Sequence, residues 1–165
     1  MPAALRLAAL LTALTLAAAA TAGELLPLRR MSLELARDIA QKAVESCRRQ
    51  GYNVSAVVVD RDGIVQVVLR DNLASRFTME LAQRKANAVT LSGAAGSEFR
   101  RARQDIRDEI NSVRELLMLE GAVPIRAQGA LLGAVGVSGA PGGDKDEACA
   151  REAVAAVQDR LEFAD

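Results

Sequence analysis

The sequence predicts an α+β domain in which two β-hairpins form a mainly antiparallel sheet and helices pack on that sheet. Segments 54–70 and 123–137 each contain two short apolar runs joined by turn residues, a pattern that is typical of a hairpin. The segments around them repeat apolar residues every three or four positions, as amphipathic helices do. The predicted order of elements is therefore α–β–β–α–α–β–β–α.

The first 22 residues have the layout of a secretory signal peptide. Arg6 precedes an unbroken stretch of Leu, Ala and Thr at residues 7–20, and Ala20-Thr21-Ala22 has the small-x-small form of a cleavage site. The apolar stretch is shorter than the ~20 residues of a spanning helix, which favours cleavage over an uncleaved anchor. We therefore expect a signal peptide at residues 1–22, a single domain at residues 23–165, and a periplasmic or secreted protein.

The first helix and the first hairpin have clear boundaries. Ser32 is predicted to cap the helix, and Gly51 is predicted to end it. Residues 54–60 form a strand whose continuous apolar run indicates burial on both faces, and residues 61–63 form the turn. Residues 64–70 are the returning strand.

Two helices are expected between the hairpins. The first covers residues 74–91 with Ser75 as its cap, and the Gly-Ala-Ala-Gly segment at residues 93–96 interrupts the chain. Apolar residues at helical spacing then predict a third helix from Ser97 that continues to Leu117. Its outer face carries charges of both signs, which is typical of a solvated surface.

The second hairpin and the last helix complete the fold. Apolar runs at residues 123–125 and 130–137 are joined by turn residues at 127–129. The last helix is predicted to run from about Asp144 to Leu161, with Asp144 as its cap.

Glycines recur from the last strand into the loop that follows it, at positions 133, 136, 139, 142 and 143. A glycine within a strand marks a bulge or the close approach of another backbone or a ligand. One interpretation is that this strand and its exit loop form a wall of a small-molecule pocket. The other is close sheet–helix packing with no ligand.

Composition excludes several classes of function. The chain has 21 basic and 21 acidic residues, so nothing favours nucleic acid or an acidic membrane surface as a partner. It has one Tyr, three Phe and no Trp, too few for a base-stacking platform. It has no His, which excludes Ser-His-Asp and Cys-His nucleophiles and histidine metal sites.

The two cysteines are candidates for a disulfide. Cys47 lies near the end of the first predicted helix, and Cys149 lies near the start of the last one. Export to an oxidising compartment favours a bridge, and the two helix ends meet if the helices lie antiparallel on one face of the sheet. Two buried free thiols are the alternative.

Several residues are candidates for binding an anionic ligand. Lys85 lies beside the buried stripe of its helix, and with Arg84 it can pair with a carboxylate. Arg70 ends a strand that can face the same cleft. The Ser138 hydroxyl and the backbone N–H of Gly139 can hold an anion. Gly136, in the same glycine-rich strand, is a further ligand-binding candidate. The alternative is that the charges are solvated and the glycines only pack.

Four segments resemble the GlcG/HbpS family of small haem-binding proteins. They are SLELARDIAQKAVE, AVVVDRDGIVQVVLR, AQRKANAVT and VPIRAQGALLGAVGVSGAPGGDKDEACAREA, in the order that the family shows. The resemblance covers residues 33–161. It implies a profilin-like sandwich, assembly into larger homo-oligomers that are often octamers, and binding of haem or a related tetrapyrrole. A related domain occurs in corrinoid-handling enzymes.

This sequence departs from the family pattern in two places. Haem binding in the family is attributed partly to a histidine near the end of the first helix, where this chain has Gln50, Gly51 and Tyr52. Without an imidazole, haem is a doubtful cofactor. The remaining candidates for axial ligation are Tyr52, Met79, Met118, Cys47 and Cys149. The second departure is Glu120-Gly121-Ala122, where the family usually has a glycine pair.

These observations favour an exported small-molecule-binding protein, for haem, a related tetrapyrrole or a carboxylated ligand, that acts as carrier, scavenger or sensor accessory. The lack of His and of acid–base pairs favours binding over catalysis. An enzyme that acts on a small organic acid or degrades a tetrapyrrole is the alternative. An oligomeric protein-interaction module is a third hypothesis, and the fold alone does not distinguish among them.

Overall fold

The computed structural model of the chain describes residues 28–163, so the predicted signal peptide lies outside the described part. In chain order the elements are α1 (Leu33–Arg49), β1 (Ser55–Asp60), β2 (Val65–Arg70), α2 (Phe77–Ser92), α3 (Gly96–Ala102), a 3-10 turn (Gln104–Ile106), α4 (Arg107–Ser112), β3 (Ala122–Ala127), β4 (Ala130–Ser138), α5 (Gly143–Ala155) and α6 (Gln158–Glu162). Within this range, no helix has the length and apolar character needed to cross a membrane.

The four strands form one sheet in the order β2-β1-β4-β3, and every neighbouring pair is antiparallel. The two hairpins meet through the central pair, in which Ser55 lies opposite Ser138 and Asp60 lies opposite Gly133. Pro124 lies in β3, at an edge of the sheet, where a residue without an N–H is tolerated. The predicted α+β, profilin-like architecture is confirmed.

Helices cover both faces of the central strands, because β1 is apolar on both sides. Ala56 and Val58 belong to the large core beneath α1 and α5, whereas Val57 and Val59 belong to a smaller core beneath α2. Successive side chains of a strand point to opposite faces, so an unbroken apolar run fits a strand with a helix on each side. All six residues of β1 are buried.

The helices α1 and α5 lie together on one face and are joined by a disulfide. The Oγ of Ser32 accepts a hydrogen bond from the Leu35 N–H, which confirms the predicted cap of α1. Cys47 and Cys149 are bonded, with 5.5 Å between their Cα atoms. The bridge links the end of the first long helix to the last one, as the helix positions predicted.

On the other face, α2 lies directly against the glycines of β4. A Cβ atom at Gly136 would overlap the carbonyl oxygen of Ala82, so only glycine lets the helix approach this closely. A Cβ at Gly139 would lie 2.6 Å from the carbonyl oxygen of Asn53. Protein backbone, and not an open cleft, therefore lies against these two glycines, which favours the close-packing interpretation of the strand.

The predicted third helix is wrong in its extent. The α-helix stops at Ala102, a 3-10 turn and the short α4 follow, and the chain is irregular after Ser112. Hydrogen bonds to distant groups hold the irregular part: the Leu117 N–H donates to the Arg84 carbonyl, and the Met118 N–H donates to the Asn111 side chain. The spacing of apolar residues in the sequence cannot predict hydrogen bonds of this kind.

The last helix also differs from its prediction. It is divided into α5 and α6 around Ala156 and Val157. The N-cap of α5 is Gly142, and no side chain forms a capping hydrogen bond there. Asp144 lies in the first turn, where a negative charge still suits the helix dipole, but it is not the cap.

Candidate functional site

Lys85 lies on the inner side of α2 and is only 2% exposed. Its ammonium forms an ion pair with Asp146 of α5, with 2.9 Å between Nζ and Oδ2. It also donates a hydrogen bond to the carbonyl oxygen of Val137, at 3.1 Å. The carboxylate that pairs with Lys85 therefore belongs to Asp146 of the same chain and not to a bound ligand.

The carboxylate of Asp146 is held from both sides. Its Oδ1 accepts a hydrogen bond from the Ala140 N–H at 2.9 Å, while Oδ2 faces Lys85. Burial raises the pKa of Asp146 above its ordinary value, and the favourable effects of Lys85 and of the Ala140 N–H do not cancel that rise. The pair is thus a buried junction of α2 with the start of α5.

Glu147, the next residue of α5, forms a second buried junction. Its carboxylate accepts hydrogen bonds from the Ser97 N–H at 2.9 Å, the Ser97 hydroxyl at 2.6 Å and the Arg151 guanidinium at 2.6 Å. The Gly121 N–H donates a further bond at 3.3 Å. Burial alone would raise the pKa of Glu147, but these donors outweigh it and hold the pKa below its ordinary value.

The space around the Lys85 ammonium is filled. A Cβ at Gly121 would lie 2.6 Å from Nζ of Lys85, 2.8 Å from the carbonyl oxygen of Val137 and 3.0 Å from Cβ of Asp146. A glycine at this position is required for the chain to pass so close to the ion pair, and no room for a ligand is left beside it. In this arrangement Lys85 is a structural cation.

The other predicted ligand residues do not converge on Lys85. Arg84 donates to the Leu116 carbonyl at 3.0 Å, and Arg70 donates to backbone carbonyls just after β2, including that of Ala74 at 2.6 Å. Ser138 is buried at the end of β4. Tyr52 packs against the core on the α1 side, on the opposite face of the sheet from α2.

Two open grooves lie instead on the outer side of α2. The first, which we call the hairpin groove, lies between the β1–β2 turn, α2 and the irregular segment after α4, and has a volume of about 570 Å³. The groove is lined by Arg61, Asp62, Gly63, Ile64, Val65, Gln83, Asn87, Thr90, Leu91, Val113, Glu115 and Leu116. Its rim carries large apolar side chains that are exposed, including those of Ile64 and Leu91.

Asn87 is the buried polar residue of the hairpin groove. It is 8% exposed, and its Nδ2 donates a hydrogen bond to the Glu115 carbonyl at 3.1 Å. Its Oδ1 has no hydrogen-bond partner within the part of the chain that the structure describes. Sequence reasoning did not single out Asn87, and its position between apolar residues of a predicted buried stripe was the available signal.

The second groove, which we call the helix groove, lies between the end of α2 and the helices α3 and α4. It has a volume of about 450 Å³ and is lined by Leu91, Ser92, Ala94, Glu98, Phe99, Ala102, Arg103, Ile106 and Ile110. Phe99, which lines the groove, packs in a small buried cluster with Met118 and Ala88. Sequence reasoning missed this groove because it placed the apolar residues after Ser97 on one continuous helix.

The fold and the two grooves define a small profilin-like domain with concave surfaces on its α2 side. The family model described as "Haem degrading protein HbpS-like" matches residues 31–155, and the chain belongs to this family. Among curated proteins, none matches the chain. Over residues 28–163, no group of three or more Cys, Asp or Glu side chains is arranged to hold a metal ion.

Solved structures show the same fold. The chain is 37% identical to HbpS, with a TM-score of 0.77 over 84% of this chain and 98% of that one. It is likewise 37% identical to a double mutant of Streptomyces reticuli HbpS, with a TM-score of 0.75 over 84% and 94%. A complex of PduOC with heme has 24% identity and a TM-score of 0.70 over 78% and 95%. The last likeness concerns the fold alone.

Proposed function

We propose that this chain is an exported haem-binding protein that acts as a carrier or scavenger. The observation that carries the proposal is its membership of a haem-degrading family across residues 31–155. The PduOC structure is named as a complex with heme, which supports haem as a ligand of this fold. The predicted leader at residues 1–22 supports export.

The helix groove is a better site for the apolar ring of haem than the region around Lys85, which is filled by protein atoms. Its walls are Leu91, Phe99, Ile106 and Ile110, and the guanidinium of Arg103 lies at its rim. Its volume of about 450 Å³ falls in the range of small-molecule sites. The ring can pack on the apolar walls, and a propionate can share the exposed guanidinium of Arg103 with Asp105, which accepts hydrogen bonds from its Nε and Nη2 at 3.1 Å.

Iron ligation must differ from that of a histidine-bearing protein, because the chain contains no imidazole. Met118 is 1% exposed, packs in the same buried cluster as Phe99 and does not line the helix groove. Tyr52 lies on the other face of the sheet and does not reach a haem in that groove of the same chain. We therefore expect haem binding that depends on apolar packing and charge, and that is weaker than in histidine-bearing relatives.

A haem titration of the mature chain tests this function. We expect a shifted Soret band that saturates, and an affinity that falls at least tenfold in Ile110→Asp because the new charge lies against the apolar ring. Leu33→Asp, at an exposed apolar position at the start of α1, is the matched control and should bind like the wild type. No Soret shift in the wild type, or equal affinity in both variants, would contradict haem binding in the helix groove.

Export has its own test. The full-length chain is expressed in a bacterium, and the periplasmic and medium fractions are collected for N-terminal sequencing. We expect a product that begins at Gly23. A chain that keeps residues 1–22 and stays with the membrane fraction would contradict cleavage.

Assembly into a homo-oligomer belongs to the same proposal. Val68 on the edge strand β2, and Leu73 and Phe77 just after it, are large apolar residues that are exposed in the single chain. Large exposed apolar side chains that form a patch are typical of subunit contacts, and these three lie within ten residues of one another in the sequence. Light scattering after size exclusion should give a mass several times that of one chain, and a monomer at micromolar concentration would contradict it.

Degradation of haem is a second candidate function, because the family description names it. Haem-loaded protein is incubated in air with ascorbate, and the Soret band and released iron are followed. Loss of the band faster than for free haem, with release of iron, supports degradation. A stable band supports a carrier.

A further inference from the structure

The Oδ1 of Asn87 is buried and has no hydrogen-bond donor within residues 28–163, which indicates a ligand site in the hairpin groove. The bond from Nδ2 to the Glu115 carbonyl fixes the orientation of the amide, because exchanging its oxygen and nitrogen would bring two oxygens together. The Oδ1 is therefore an acceptor. A buried acceptor with no donor costs free energy on the order of 1–3 kcal/mol, and a ligand N–H would recover it.

The tip of the first hairpin lies next to this oxygen and carries a glycine, Gly63. A Cβ at Gly63 would lie 3.5 Å from Oδ1 of Asn87 and 3.9 Å from Oγ1 of Thr90. The Thr90 hydroxyl already donates to the Asn87 carbonyl, so its oxygen is also available as an acceptor. Gly63, Asn87 and Thr90 all line the hairpin groove, so a donor group bound there lies near two acceptor oxygens, and a methyl group at Gly63 would be in van der Waals contact with both.

The rim of the groove adds two charges of opposite sign. Arg61 and Glu115 line it, and neither forms an ion pair with any residue between 28 and 163, whereas the neighbouring Asp62 is paired with Arg30. The apolar wall lies between these charges. The groove is thus complementary to an extended, mainly apolar molecule that carries N–H donors along its length and a carboxylate for Arg61.

We propose that the hairpin groove binds a linear tetrapyrrole, the class of molecule that is formed when a haem ring is opened. In haem all four ring nitrogens bind iron and no N–H is presented, whereas an opened tetrapyrrole has pyrrole and lactam N–H groups and keeps both propionates. The choice of a tetrapyrrole rests on the proposed function, and specifically on its second candidate, the degradation of haem. Leu91 lines both grooves, so the opened product would lie next to the haem.

The test is a titration of the full mature chain with biliverdin, followed by absorbance and by the circular dichroism that a chiral site induces in the pigment. Gly63→Ala and Gly51→Ala form a matched pair, because their φ angles are +81° and +83° and a Cβ at Gly51 meets nothing within 4 Å. Both variants place a Cβ at nearly the same positive φ, but only in Gly63→Ala does that Cβ contact Asn87. We expect Gly63→Ala to weaken biliverdin binding at least tenfold and Gly51→Ala to leave it unchanged.

A second pair addresses the charge at the rim and does not strain the backbone. Arg61→Gln should weaken biliverdin binding about three- to tenfold, whereas Arg101→Gln, on the exposed side of α3, should not change it. Wild-type protein that induces no dichroism in biliverdin would overturn the proposal. Equal affinities within both pairs would overturn it as well.

A parallel titration with haem separates this proposal from the proposed function. If the wild type binds haem but not biliverdin, the assignment of the hairpin groove fails and haem binding stands. If biliverdin binds and depends on Gly63 and Arg61 while haem does not bind, the groove assignment stands and the haem function fails.

Discussion

Lys85 and Asn87 lie two positions apart on α2, and both side chains are polar and buried, yet their surroundings differ. The Lys85 ammonium is paired with Asp146 and bonded to the Val137 carbonyl. Asn87 uses its amide nitrogen but has no donor for its oxygen within the described residues. A buried charge that has found its partner stabilises the fold, whereas a buried acceptor without one indicates where another molecule can bind.

The direction in which each residue faces explains the contrast. Lys85 points toward α5 and the loop around Gly121, where backbone and carboxylate close around it. Asn87 points toward the segment after α4, which is irregular and leaves the hairpin groove open. The cation suggested by the sequence is therefore structural here, and a neutral amide is the stronger candidate for ligand contact.

The largest effect on stability is expected from Lys85→Met. It leaves the Asp146 carboxylate buried without a countercharge, so the free energy of unfolding should fall by about 3–5 kcal/mol. Urea unfolding measures this, with Lys42→Met on α1 as the control. A second substitution, Asp146→Asn, should recover part of the loss. A change below about 1 kcal/mol in Lys85→Met would show that the ion pair does not hold α2 to α5.

Gly136→Ala should have the next largest effect. Its methyl group would overlap the Ala82 carbonyl oxygen, so α2 must move away from β4, and overpacking of this kind costs about 1–3 kcal/mol. The urea midpoint should fall accordingly. If the variant is as stable as the wild type, the helix is not held at the distance that the structure shows.

Glu147→Gln should alter the acid dependence of stability. The pKa of Glu147 is lowered by folding, so the unfolded chain takes up this proton first, and the wild type loses stability as pH falls below the ordinary value of 4.5. At neutral pH the substitution should cost on the order of 1–3 kcal/mol, because charged hydrogen bonds to Ser97 and Arg151 are weakened.

Urea unfolding between about pH 7 and pH 3 gives the comparison. The difference in the free energy of unfolding between the wild type and Glu147→Gln should become smaller as the pH falls. Asp146 acts in the opposite sense: folding raises its pKa, so its protonation in acid favours the folded state and offsets part of the loss. A difference that stays constant with pH would contradict the assigned role of Glu147.

Asn87→Leu should have the smallest effect on stability. It loses one hydrogen bond to the Glu115 carbonyl, but it also removes the unpaired oxygen, so the two terms should nearly cancel to within about 1 kcal/mol. The same variant should weaken biliverdin binding. A loss of more than about 3 kcal/mol would show that Asn87 is a structural residue in the same sense as Lys85.

Much of the fold could be predicted because it depends on local patterns. The Ser32 cap, the unbroken apolar run of β1 and the turn at 61–63 are short-range features, and the structure contains each of them. The second predicted turn is also present, but it covers only residues 128–129, because Ala127 still pairs with Ala130 in the sheet. The third helix could not be predicted, because the bonds of Leu117 and Met118 to distant groups interrupt a segment whose spacing is helical.

The sequence by itself determined the two hairpins, the long helices and the absence of histidine, because turn residues, side-chain periodicity and composition need no knowledge of neighbours in space. Only the tertiary structure decided that Lys85 pairs with Asp146 and that α2 packs against Gly136. It also decided that the Oδ1 of Asn87, which lies near Gly63, has no hydrogen-bond donor among the described residues. These contacts join residues from different elements, and whether a polar group is satisfied depends on the atoms that packing brings to it.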